Sequence, residues 1–270
     1  MRVSRRWKLF LSALSLAILS GCPSPQRAPP APQAVSPATA AAPAPHVGTP
    51  YQIVPQSSLL TILVYRGGAL ASAGHNHVIA SHDLTGAIYI PPGILQSSFE
   101  VHVPVATLTV DEAALRAQQP VAEFPPDVSD GAKEGTRRNM LGEALLDAQR
   151  NPEIVLRSLR LEPANDKATD PPGVVAYVQS SVRGQLRTFT VPVRYLFRTA
   201  GATGGASANG GASADGGASA DGIVEASGDF ALRQTDLGLT PFSALLGALQ
   251  VQDEMRISFR IVAQAAAVKR

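Results

Sequence analysis

The stretch "TFTVPVRYLFR", residues 188–198, places Phe189, Val191, Val193, Tyr195 and Phe197 at alternate positions, with Thr188, Thr190, Arg194 and Arg198 between them. Side chains of a β-strand point to opposite faces with a period of two, so this segment reads as a strand with one apolar and one polar face. The same alternation recurs in Phe99, Val101, Val103 and Val105 against Glu100 and His102, and in Ile257, Phe259 and Ile261 against Arg256, Ser258 and Arg260. Further strands are expected over 59–65, 78–90, 154–160, 174–182 and 224–232, about eight in all. Eight antiparallel strands, each with one apolar face, hide their edges best by closing into a barrel. A barrel of this size has room for packed side chains or for one apolar ligand.

Helical periodicity is confined to two places. Met140, Ala144, Leu145 and Ala148 form one stripe of a helix expected to end near Asn151-Pro152. Thr240-Pro241 reads as an N-cap followed by proline at the first helical position, with Phe242, Leu245, Leu246 and Leu249 on one face. Both amphipathic helices are expected on the barrel or across its mouth, giving an all-β fold with one or two short helices.

Outside residues 51–265 the composition changes. Arg2, Arg5, Arg6 and Lys8 precede an apolar run, Leu9–Leu19, too short to span a bilayer, and this reads as an export signal over residues 1–21. The run ends in Leu19-Ser20-Gly21-Cys22, which resembles the lipobox of bacterial lipoproteins and implies that Cys22, the sole cysteine, carries a diacylglycerol. Pro23 rather than Asp after that cysteine implies an envelope lipoprotein facing the periplasm, at the outer membrane. "SRRWKLF" half-matches a twin-arginine signal, so either export route stays open. Residues 22–50 form a lipid anchor and a Pro/Ala-rich tether with nothing to bury. Within 201–222 three six-residue copies, "GGASAN" and twice "GGASAD", read as a flexible loop insertion.

Charge narrows the functions. The signal holds four of the 23 Lys and Arg and none of the 21 Asp and Glu, leaving 19 basic against 21 acidic residues. Such a chain lacks the positive footprint that nucleic-acid binding needs. A lone cysteine allows no internal disulfide. No Gly-x-Ser-x-Gly elbow, His-Glu-x-x-His helix or phosphate loop is present, so the sequence reads as a binding protein rather than an enzyme.

Several segments carry a family resemblance: "AGHNHVI" and "LTGAI" after the opening strand, "RRNMLGEALLDAQRNPEIVLRS", "VRGQLRTFTVPV", and "SGDFALRQTDLGLTPFSALLGALQVQDEMRISFRIVA". Together they resemble the YceI-like proteins, exported barrels associated with polyisoprenoid lipids, over roughly residues 51–263. The chain departs from the common pattern at Gly184-Gln185-Leu186-Arg187 and at Arg137-Arg138-Asn139-Met140-Leu141. The resemblance implies a lipocalin-like barrel that binds a polyisoprenoid or quinone-like lipid, with no other cofactor. Expected partners are that lipid and, through the acyl anchor, a membrane; a homodimer is left open.

Under this reading Val101, Val103, Phe189, Val191, Tyr195, Met140 and Leu145 are the candidate lipid contacts. His75, His77 and Asp236 are candidates for the polar end of the site. Histidines two apart on a strand share a face about 6.5 to 7 Å apart, so His75 and His77 could also share a metal ion, with His102 or Asp236 as a further ligand. The other reading makes Gly74-His75-Asn76-His77 a polar strand start whose imidazoles bond to backbone or to a carboxylate such as Asp236. Asp111 and Asp236 otherwise read as turn or cap residues. Small residues at Gly86 and Gly228 are expected to leave free volume inside the barrel; a barrel filled by its own side chains, serving a purely structural role, is the alternative.

Overall fold

The computed structural model describes residues 44–164, 171–199 and 222–265. In chain order its first strands are β1 (Thr49–Ile53), β2 (Leu59–Gly67), β3 (His77–Ser81), β4 (Thr85–Ile90), β5 (Ser98–Pro104) and β6 (Thr109–Val110). Two helices follow, α1 (Ala113–Arg116) and α2 (Asp130–Leu141). The remaining strands are β7 (Glu153–Pro163), β8 (Gly173–Val182), β9 (Gln185–Thr199), β10 (Gly222–Arg233), β11 (Ser243–Ala244) and β12 (Leu249–Ala265). Pairing runs β1-β4-β5-β7-β8-β9-β10-β12, and β12 pairs back onto β1, so an eight-stranded antiparallel ring closes. The all-β barrel expected from the alternating segments is the fold observed. The export signal, Cys22, most of the Pro/Ala tether and all but the last residue of the glycine insertion lie outside the described residues.

Two staves of the ring are bent. The edge of β12 pairs first with β2, Arg260 opposite Leu59, and then with β1, Ala263 opposite Ile53. A 3₁₀ turn at Pro55–Ser57 separates β1 from β2. The buried Ser58 hydroxyl closes the joint, donating to the Val54 carbonyl at 2.9 Å and accepting the Val262 N–H at 3.0 Å. The expected continuous strand over 78–90 is likewise two strands, β3 and β4, bent at residues 82–84. The outward side chains of β3, Val78 and Ala80, are covered by Leu115 and Phe124 in a small outer cluster.

The two expected helices are corrected. The helix at the Met140 stripe starts earlier and ends earlier, at Leu141, because Ser129 caps its N-terminus by accepting the Ala132 N–H and Gly142 turns extended after it. The chain then folds back, with Leu146 and Ala148 donating to the Met140 and Leu141 carbonyls. The segment after Thr240-Pro241 is a hairpin rather than a helix: Ser243 pairs with Gln250 and Ala244 with Leu249. Leu245, Leu246 and Gly247 all take positive φ at its tip. An apolar spacing of three and four is ambiguous here, because Phe242 and Leu249, on opposite arms of the hairpin, both line the cavity while Leu245 and Leu246 stand in solvent.

The glycines at 86 and 228 do not leave free volume. Gly86 has φ of 120°, and a Cβ there would lie 2.1 Å from the Glu100 carbonyl oxygen. At Gly228 it would lie 2.3 Å from the Pro192 carbonyl and 2.6 Å from the Phe259 ring. Both are sites of close approach of chain to chain.

Candidate functional site

The barrel is hollow, which disposes of the filled-barrel alternative. Its cavity of about 560 Å³ falls within the range of small-molecule binding sites. The inward faces of the alternating strands form the wall: Val101 and Val103 from β5, Phe189, Val191 and Tyr195 from β9, Ile257, Phe259 and Ile261 from β12. Met140 at the end of α2 and Leu145 in the turn beyond it also reach the cavity. All seven residues proposed as lipid contacts from the sequence therefore line one space. Opposite faces of the same strands carry the charges; His102, for example, points away from the cavity.

Polar groups gather at one end. There α2 crosses the opening with Ala132, Gly135, Thr136, Asn139 and Met140 toward the cavity, a helical stripe at intervals of three and four. Its first part is small or polar, so the helix covers the mouth without filling it. Beneath it His77, the first residue of β3, also lines the cavity. The imidazole Nε2 of His77 lies 3.1 Å from the Thr136 hydroxyl, and Nδ1 lies 2.6 Å from Asp111 Oδ2. Asp111 in turn accepts the Val78 N–H at 2.9 Å and the Arg116 Nη1 at 2.7 Å through Oδ1. The side chains of Asp111 and Arg116 are 0% and 2% exposed, so this ion pair is dry.

Burial by itself would raise the Asp111 carboxyl, but the bonds from His77 and Val78 and the neighbouring His77 and Arg116 outweigh it and hold the group below its ordinary value. An ionised carboxylate only accepts, so His77 Nδ1 carries the proton bonded to it. Arg116 is further held by the Asn76 and Pro125 carbonyls, at 2.8 and 2.6 Å. Its Nη2 is buried with no hydrogen-bond partner, and the guanidinium lies 5.6 Å from the Phe124 ring centre.

The remaining candidates separate. His75 lies at the mouth, exposed, with its ring 6.1 Å from that of His77. Asn76 between them is structural: its amide accepts the Arg66 N–H and donates to the Glu123 carbonyl, both at 2.9 Å. Asp236 sits in a 3₁₀ turn and accepts the Arg233 N–H at 3.4 Å; the carboxylate that meets His77 is Asp111. His102 bridges Glu100 at 2.8 Å and Glu153 at 3.0 Å on the outer face of β5. The three histidines considered for a shared ion thus do not converge, and among the described residues no group of three His, Cys, Asp or Glu side chains is placed to hold a metal.

Thr136 and Arg116 went unsuggested by the sequence. Neither has a periodic signal, and the partners of the network come from segments 34 and 59 residues from His77. The one local hint is Asp111 directly after an apolar strand end, a residue type that tolerates its observed φ of 53°.

No protein-family model matches the chain, and neither does any curated protein. Among solved structures it is similar to BcnA of Burkholderia cenocepacia, at 14% identity and a TM-score of 0.49, covering 78% of this chain and 99% of that one. It is similar to a polyisoprenoid binding domain from Saccharophagus degradans implicated in plant cell wall breakdown, at 8% identity and a TM-score of 0.46, over 80% and 98% of the two chains. A third is the YCEI protein of Campylobacter jejuni, at 8% identity and a TM-score of 0.42, over 68% and 82%.

Proposed function

We propose that this chain is a YceI-like binding protein of the bacterial envelope, held to a membrane through Cys22, whose barrel takes one apolar isoprenoid-type chain, a polyisoprenoid or quinone-like lipid. The observation that carries the reading is an apolar cavity inside a closed barrel, walled by residues from both ends of the strands, with His75, His77, Thr136 and Asn139 gathered at the mouth under α2. A chain with a small head fits that distribution. Burial of each CH₂ contributes about 0.8 kcal/mol, so affinity comes from tail length rather than from charge. The sequence motifs shared with the YceI-like proteins point to the same occupant.

Calorimetric titration of the purified chain with geraniol, farnesol and geranylgeraniol tests this. Saturable binding that strengthens at least tenfold with each added isoprene unit is expected. Binding independent of chain length, or none, would reject it. The anchoring part is separate: a Cys22→Ser chain is expected in the soluble fraction, and its persistence in membranes would remove the anchor from the account.

A further inference from the structure

We propose that the tip of the β11–β12 hairpin and the neighbouring segment 67–76, on the rim of the cavity mouth, form a docking surface for a lipid bilayer. The inference rests on the lipid reading above and adds the surface from which the ligand enters. Leu245 and Leu246 stand at the tip, 67% and wholly exposed, and Leu70 is 45% exposed on the neighbouring segment. The two segments are tied together, since the Leu70 N–H donates to the Ala248 carbonyl at 2.7 Å. Gly68 permits that approach: a Cβ there would lie 2.5 Å from the same carbonyl oxygen. The apolar surface does not stop at the rim. Phe242 and Leu249, on the arms of the hairpin, line the cavity, and Phe242 is exposed as well. An apolar path therefore leads from the tip into the barrel.

Charge and backbone both point to a bilayer as the occupant. Residues 67–76 and 239–252 contain no Asp, Glu, Lys or Arg. Their exposed polar side chains are Ser72, His75, Thr240, Ser243 and Gln250. Such a surface, apolar at its tip and neutral and polar around it, suits the boundary between head groups and acyl chains. Of the charges flanking the two segments, Asp253 is turned onto Thr235, accepting its N–H at 2.9 Å and its hydroxyl at 2.7 Å. Arg66, exposed and opposite Val251 at the base of the hairpin, is a cation within reach of lipid phosphate. The backbone adds a second argument. Leu245 and Leu246 hold φ of 51° and 56°, a region that asparagine or glycine occupies at less cost. Their exposure leaves little packing to offset that cost, so these leucines act outside the fold. A few leucines at an interface fall short of one myristoyl chain, which itself gives only reversible binding of about 10⁴ M⁻¹. The contact is transient, and a chain without its acyl anchor still washes into the soluble fraction.

Val47, Leu95 and Phe197 are exposed at the opposite end of the barrel, so the test compares the two ends. In the full chain carrying Cys22→Ser, a single thiol is introduced by Ser243→Cys beside the tip or by Leu95→Cys at the far end. Each is labelled with a nitrobenzoxadiazole fluorophore and mixed with phosphatidylcholine vesicles, with and without nitroxide on the acyl chains and with no prenyl lipid. Nitroxide is expected to about halve the fluorescence at position 243, as for a group about 5–10 Å into the head-group and acyl boundary, and to leave position 95 unchanged. Adding Leu245→Asn and Leu246→Asn is expected to abolish the quenching without lowering the melting temperature, because asparagine tolerates the backbone there. Quenching equal at both ends, confined to position 95, absent from both, or surviving the asparagine pair would overturn the assignment. A dimer that the asparagine pair dissolves, with no quenching at 243, would give the surface to a second copy instead. All these outcomes leave the prenol titration and the lipid reading standing; failure of that titration would reject the lipid reading, while quenching at 243 would still support the docking surface.

Discussion

Asp111 holds a left-handed backbone and a buried charge at once, and the site depends on both. Asparagine tolerates the same backbone region, so Asp111→Asn removes the charge with little change of shape. It leaves Arg116 buried and uncompensated, which costs about 3 kcal/mol. Urea denaturation at pH 7 is expected to show that loss. Its pH dependence follows from the carboxyl titrating below its ordinary value in the fold. The stabilisation is present above the unfolded value, roughly pH 4, and is lost as pH falls through the lower folded value. The gap between wild type and variant should therefore close in acid. A gap that stays constant down to pH 3 would show that the charge is not its source.

At the scale of elements, the tip of the β11–β12 hairpin holds two consecutive leucines in the left-handed region. Leu245 and Leu246 lie at φ of 51° and 56°, where a side chain with Cβ is disfavoured by about 1 kcal/mol. Leu246 is fully exposed, so no packing offsets the strain. Leu246→Asn is expected to raise stability by about 0.5 kcal/mol in thermal or urea unfolding. A loss of more than 1 kcal/mol would mean that the side chain is packed. The same element shows where sequence periodicity stops informing. Alternation in 188–198 has one geometric solution, a strand with an apolar face. The spacing of Phe242, Leu245, Leu246 and Leu249 has two, and the backbone pairing of Val251 to Phe242 selects the hairpin. The α2 lid was displaced for a related reason, since its cavity face is built from Ala132, Gly135 and Thr136, residues too small or polar to form an apolar stripe.

For the whole molecule, the alternating strands were enough to read a closed ring, because an open sheet of eight such strands would leave edges exposed. They also identified the wall of the cavity residue by residue, from Val101 to Tyr195. They could not show that the wall encloses empty space, since a filled and a hollow barrel require the same inward apolar faces. Nor could they join His77 to Asp111 and Thr136, which meet only when β3, the segment after β6 and the lid converge. The central claim is that this space holds an isoprenoid chain. Its most direct test is mass spectrometry of organic extracts of the full chain purified from bacterial membranes. The account predicts a prenyl lipid at close to one molecule per chain; extracts carrying no lipid beyond the bulk phospholipid of the preparation would contradict it.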